Sequence, residues 1–505
     1  MSDYLRSSHY EINMPLGGIP PGSDIYIYPI NPELTWPRIR TYTHNGAHAN
    51  NQLRFRVDKG IHRAKTLICQ GQICQGVCEV RLELPSALVL DTILSGDEIR
   101  DWCWDCHEAS IEVCAPHGPI QHAEPSALAA IAAWATYHRH RGRSIQIHDS
   151  VKSPYTWRFG LLSALSGSTE NSARATRFLP PTQIASESSI PMEIERTVDL
   201  LGLTSQGSRA GVAKSISEAV RNVFEHANAA DGAFLCASYF QAADRLSIAV
   251  ADAGIGVPAT IRPRYGSKLS DAEANLLATE LKVTGARPSP RYGGAISNAG
   301  VGLYYLRTVS FRSKGLFALL SGTAAVRDGG NGLPPTTAPS RAAWKGTVVA
   351  VTLSASRADE IMNTTHEIFA RGLSGDRKRQ IIGFGHPPPG AELITITPTV
   401  VGLIEDKAQA RRLRDTVILP AIKAGQPVGI DLRAGQLVTH SFTHALLFAA
   451  IREAGADAKR LLFVRASTNQ VRDTVRLVSW YATNEPDEFM AEELENALDG
   501  MMSEK

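Results

Sequence analysis

Four short segments follow one another in a fixed order between Glu218 and Thr347, and each sets a carboxylate, an amide or a glycine beside an apolar element. SEAVRNVFEHA carries Glu218 and Asn222 at the i, i+4 spacing that puts two side chains on one helix face. ADAGIGVP places Asp252 just ahead of Gly254 and Gly256. SNAGVGLYYLR sets Gly300 and Gly302 before an apolar helix start, and WKGTVVAVTL sets Gly346 and Thr347 at the head of an alternating strand. A lone Glu-x-x-x-Asn is usually a helix-surface pair, and a lone glycine run is usually a turn. The ordered set demands much more: helix, strand end, helix start and strand head must share one pocket.

The residue types suit a nucleoside triphosphate. Asp252, at a strand end, can accept from the exocyclic amine of adenine, which distinguishes adenine from guanine. Gly254 and Gly256 let backbone approach a base with no Cβ in the way. Asn222 offers an amide oxygen to Mg²⁺, a hard cation that keeps most of its waters and phosphate oxygens. Glu218, one turn earlier, is placed to take a proton from the attacking water or hydroxyl. The run Asn298, Gly300, Val301, Gly302 and Leu303 brings backbone N–H groups to a helix start, where the dipole favours phosphate. Thr347 can brace the Asp252 carboxylate through its hydroxyl or a water.

These segments resemble the four boxes of the GHKL (Bergerat-fold) ATPases, over roughly residues 185–355. EAVRNVFEHA is most similar to the anti-sigma-factor and bacterial signalling branch. The resemblance implies an α/β sandwich with a mixed sheet, Mg·ATP as ligand, and a mobile lid over 258–299 whose Arg287 and Arg291 reach phosphate. Farther along, VGIDLRAG, THSFTHALL and LLFVRASTNQ resemble a STAS-like domain, in which a Ser or Thr at the helix start can accept phosphate from a partner kinase. Ser441 occupies that position loosely, and a helix N-cap role accounts for it without phosphate. The segment 110–175 resembles the same α/β pattern more faintly.

Length and composition frame the rest. A chain of 505 residues exceeds one ordinary core. The expected division is a Cys-rich, STAS-like α/β region over 1–178, the ATPase domain over 179–360, a linker over 361–390, a STAS-like α/β domain over 391–485, and an acidic helical tail over 486–505. The Pro- and Ser-rich FLPPTQIASESSIP marks the first boundary, and HPPPG marks the second. A helix capped by Ser126 is expected from 125 to about 141, and a Gly/Pro loop joins two strands from 328 to 340. The fold class is therefore α/β (α+β): a central Bergerat sandwich flanked by smaller α/β domains.

With 20% charged residues and a formal charge of +2, nothing global points to nucleic acid or acidic membrane. No apolar run approaches the ~18 residues of a membrane span, and MSDYLRSSHYEINMP lacks a secretion signal. The chain therefore reads as cytoplasmic. Six of the seven cysteines lie in the first quarter. Cys103-x-x-Cys106 and Cys114-x-x-His117 are competent to hold a structural Zn²⁺, with buried core thiols as the alternative.

The expected function is a Mg²⁺-dependent ATPase whose nucleotide state drives a conformational or assembly change in a protein partner or in self-association. The alternatives are a Ser/Thr kinase acting on a STAS-like domain and an ATP-sensing scaffold with negligible turnover.

Overall fold

The computed structural model describes residues 80–95, 102–105, 109–168, 177–281, 283–285, 300–329, 334–357, 380–400 and 402–483, with short strands between 10 and 74. The chain divides into two compact units, Met1–Val80 and Arg81–Lys505. The first holds an antiparallel pair, Tyr10–Pro15 with Gln52–Val57, and a three-stranded antiparallel sheet of Ile25–Tyr26, Leu67–Cys69 and Gln72–Cys74.

The second unit is built on a five-stranded sheet in the order Phe178–Ile184, Ala233–Phe240, Arg245–Asp252, Thr336–Ser354, Leu316–Asp328. Every neighbouring pair is antiparallel, which corrects the expectation of a mixed sheet. Four of the strands come as two hairpins, a connection that permits only antiparallel pairing.

Strict alternation gives the sheet two buried faces. Leu235, Leu246, Ile248, Val250, Phe317, Leu319, Val349 and Val351 share a core with the helices Ile190–Leu201, Gln206–Asn222 and Gly302–Arg312. The alternate positions Cys236, Ala249, Ala251, Ala318 and Ala350 are also buried, but they are small. The helix Pro125–Arg139 packs over the Ala233–Phe240 and Arg245–Asp252 strands, and its residues are buried from Pro125 through His138. Small side chains on both layers let helix and sheet approach closely. A helix buried all round must lie between layers, which explains its apolar circumference.

Local details differ from expectation. The cap position of that helix is Glu124, not Ser126. Its side chain makes no cap bond and instead accepts from the Leu90 N–H at 3.0 Å, while Pro125 fills the first turn, where no donor is needed. FLPPTQI, expected to mark a domain boundary, is not a loop. It is the edge strand of the central sheet, with the register shift of a bulge between Leu179 and Thr182, where the two prolines sit. An edge strand with a bulge is the place in a sheet that tolerates Pro. The loop expected over 328–340 is shorter, because one strand runs to Asp328 and the next starts at Thr336.

The parallel strands Ser110–Cys114 and Ser144–Ile147 flank the Pro125–Arg139 helix as a β-α-β unit. Toward the C-terminus, a four-stranded parallel sheet runs Gly383–Phe384, Leu462–Arg465, Val428–Asp431, Glu392–Thr395. Its core includes Phe442, Leu446 and Val475 from the helices His440–Ala454 and Asn469–Thr483. The stretch read as a linker thus contributes the edge strand Gly383–Phe384, and the tail 486–505 lies outside the described residues. Val400, Leu403, Leu437 and Leu477 belong to the core of the central sheet, so residues 81–505 form one compact body rather than separate lobes. The cap of the His440 helix is Thr439, whose hydroxyl accepts from the Phe442 N–H at 3.2 Å, so Ser441 is not the cap. Among the described residues, no helix is long and apolar enough to cross a membrane.

Candidate nucleotide site

The helix Gln206–Asn222 is capped by Ser205, whose hydroxyl accepts from the Ser208 N–H at 3.0 Å. Its last turn widens into a π-turn, Val223–Ala227, which ends at Asn228 in the left-handed region, φ 47°. The loop after Asp252 is bound to this turn: the Ile255 N–H donates to the Ala227 carbonyl at 2.8 Å. Gly254 must be glycine here, because a Cβ would lie 2.1 Å from the same carbonyl oxygen.

Asp252 ends its strand directly opposite Thr347 and is 1% exposed. Its Oδ1 accepts from the Gly254 N–H at 2.7 Å, and the Trp344 indole N–H donates to its main-chain carbonyl at 3.2 Å. Burial pushes its carboxyl up to about 7, against the backbone N–H groups of Gly254 and Thr347. The bracing from Thr347 is thus through the main chain. Gly346, at φ +87°, turns the chain so tightly past this group that a Cβ would stand 2.3 Å from the Asp252 carbonyl oxygen.

A cleft opens beside Asp252. Asn222, Asp252, Gly256, Gly300, Gly302, Leu303 and Thr347 all line it. Its walls are otherwise largely apolar, including Val223, Val250, Val257, Ile261 and Val349, as suits a flat heterocycle. Gly302 opens an 11-residue helix whose first backbone N–H groups border the cleft. Glu218 lies just beneath that helix start: a Cβ on Gly302 would stand 3.3 Å from Glu218 Oε2 and 3.2 Å from Asn222 Oδ1. Gly254 falls outside the cleft, on the far side of the loop, where it lines a second depression with Ile255 and Lys345. Val301 is buried behind Gly302. Asn298, Arg287 and Arg291 lie outside the described residues.

Burial raises the Glu218 carboxyl, while neighbouring Lys214 holds it back. Lys214 is itself buried and pushed down to about 8, with its Nζ 4.7 Å from the centre of the Tyr305 ring. Asn222 Nδ2 is buried with no hydrogen-bond partner among the described residues. Of the two ends of this amide only Oδ1 could serve a hard cation such as Mg²⁺, because the nitrogen is a donor.

The first half of the expected lid is packed. Helices Val257–Tyr265 and Asp271–Leu277 bury Ile261, Ala274 and Leu277 together, and Asn275 Nδ2 donates to the carbonyls of Ser321 at 2.8 Å and Ala324 at 2.9 Å. Several residues missed at the sequence level complete the site. His226 lines the cleft four residues after Asn222, a spacing that was readable. Thr260 and Thr284 also line it, but they come from a segment with no motif. Ser321 ties loop to strand, donating to the Gly346 carbonyl at 2.6 Å and accepting from the Val257 N–H at 2.9 Å.

The cysteine expectation stands on partial ground. Cys114 is buried, with its thiol raised by burial, and His117 is exposed. Cys106 lies outside the described residues, and among those described no group of three or more His, Cys, Asp or Glu is placed to hold a metal. Ser441, the candidate phosphoacceptor, is 8% exposed.

Neither protein-family models nor curated proteins give a match to this chain.

Proposed function

We propose that this chain binds Mg·ATP in the Asp252 cleft in the manner of a GHKL (Bergerat-type) ATPase and hydrolyses it, with nucleotide state acting as a switch on the body around it. The observation that carries this reading is convergence. Asn222, Asp252, Gly300, Gly302 and Thr347, chosen from four separate motifs, border one apolar-walled cleft.

In this reading the Asp252 carboxylate accepts from the adenine amine, and Val250, Ile261 and Val349 enclose the base. The N–H groups at the Gly302 helix start hold phosphate oxygens. Bound Mg²⁺, with Asn222 as its protein ligand, would neutralise charge developing on the phosphates. Glu218 takes the proton of the attacking water, and burial makes its carboxylate a stronger base than an exposed one. His226, beside Asn222, faces the same phosphates. The STAS-like resemblance offers phosphotransfer to Ser441 as a second reading. The burial of that hydroxyl weighs against it, because a kinase would have to open the His440–Ala454 helix start to reach it.

The test is a γ-labelled ATP assay on wild-type protein and Glu218→Gln. Removing a general base lowers kcat by roughly 10²–10⁴-fold, and the Mg·ATP Kd should stay within a few fold. Equal turnover in both proteins would remove Glu218 from the chemistry. Protein-bound label that disappears in Ser441→Ala would favour the kinase.

A further inference from the structure

The helix that carries Glu218 and Asn222 is gripped from its other side. Ser217, Arg221 and Glu225 recur every fourth residue, each one position from a residue of the Glu218, Asn222, His226 series. All three are held by one segment of the C-terminal layer, residues 405–407. Glu405 is 0% exposed, and its Oε2 accepts from Ser217 Oγ at 3.1 Å and Arg221 Nε at 3.1 Å. Arg221 Nη2 pairs with the same carboxylate and also donates to the Glu405 main-chain carbonyl at 2.8 Å. Two residues on, Lys407 Nζ reaches Glu225 Oε1 at 2.6 Å, with both side chains largely buried. Arg221 Nη1 also reaches Glu187 at 3.1 Å, just before the next helix.

Such a set is not needed for cohesion alone. Apolar residues of similar volume usually stabilise as well as a buried ion pair, whereas geometry and register are what charged pairs specify. Here the specified register belongs to the helix that sets the reach of Glu218 and Asn222, in the turn where α-helix gives way to π-turn. A π-turn interrupts the regular i→i−4 ladder, so the anchor acts where the helix departs from α geometry.

We propose that Glu405 is a positioning residue for nucleotide turnover: through Ser217 and Arg221 it fixes the rotation of the Gln206–Asn222 helix, and thereby the placement of Glu218 and Asn222. Lys407, through Glu225, does the same for the π-turn. The C-terminal α/β layer is thus wired to the site by side chains that never touch the ligand. This rests on the ATPase reading above.

The experiment uses the full chain. Glu405→Gln keeps the shape and one acceptor oxygen while removing the charge, and Lys407→Met removes the second anchor. Wild type and both variants are compared for Mg·ATP Kd, kcat, KM and thermal midpoint, and for hydrogen exchange across 400–413 with and without a non-hydrolysable ATP analogue. The expected result is a fall in kcat of about tenfold or more in each variant. The Mg·ATP Kd should stay within about threefold, and ligand-linked protection of 400–413 should be present in wild type and lost in the variants. A misplaced base of this kind lowers turnover without lowering ground-state affinity. Should Glu405→Gln fail to fold, Lys407→Met and the wild-type exchange data still decide the matter. Wild-type turnover equalled by the folded variants, or exchange across 400–413 unmoved by nucleotide, overturns the assignment. Failure of the ATPase reading looks different: wild-type protein without Mg·ATP affinity, which overturns both.

Discussion

A carboxyl group held near neutrality by burial is a sensitive instrument, and Asp252 is placed to be one. Its ordinary pKa lies near 4, and in the folded chain it rises to about 7. The direction matters for both stability and binding. Because the folded state holds this proton more tightly than the unfolded chain, the group's contribution to stability declines as pH rises from about 4 to about 7, then levels off. In the proposed site, adenine recognition would use the ionised form, so binding below pH 7 would release a proton. The Mg·ATP Kd is expected to rise roughly tenfold per pH unit below 7, and to be nearly flat above it. Calorimetric titrations between pH 5 and 8 measure this directly, and a Kd independent of pH over that range would remove Asp252 from the base-binding role. The identity of this acid was readable from its place before Gly254 and Gly256. Its shifted protonation was not, because that depends on burial by strands distant in sequence. Lys214, one turn before Glu218, was visible in spacing but silent in role until both proved buried.

At the scale of elements, the strong periodic segments came through. The hairpin Ala233–Phe240 with Arg245–Asp252, the helix bearing Glu218, and the alternating strands and helices after residue 390 all form where their patterns place them. The errors cluster where tertiary context overrides local chemistry. Pro180 and Pro181 read as a domain boundary because proline punctuates loops, but at a bulged sheet edge the missing N–H costs little. Ser126 and Ser441 read as caps from residue type alone, while the chain uses Glu124 and Thr439, each two positions earlier. The sheet read as mixed because the resemblance implied it, whereas the two hairpins dictate antiparallel order. The half of the expected lid next to Asp252 proved to be anchored helix, its apolar positions too short a run to announce a packed cluster.

For the whole molecule, domain boundaries were the least readable property. Compositional breaks suggested three lobes within 81–505, but the layers are shared. The Pro125–Arg139 helix covers the back of the central sheet, and Val400, Leu403, Leu437 and Leu477 enter its front core. Removing residues after about 390 would expose that apolar surface and leave Arg221 with Glu187 as its remaining carboxylate partner, stripped of the buried Glu405. The body is therefore expected to unfold in one cooperative transition by scanning calorimetry, and a chain truncated near 390 to lose nucleotide binding along with its fold. Two well-separated transitions within 81–483, or a stable truncated ATP binder, would show that the layers are independent.

The indole that donates to the Asp252 carbonyl has company. Trp344 stacks edge-on against Trp102 at 4.9 Å and Trp104 at 4.8 Å between ring centres, and Trp134 lies 6.3 Å from Trp102. Four of the chain's seven tryptophans thus form one buried array wired to the acid that would meet the base. Any change of charge at that acid alters the field across the array, so the protein carries its own optical reporter. Nucleotide titrations should be visible as a shift in intrinsic emission, and the signal should be lost in Trp344→Phe.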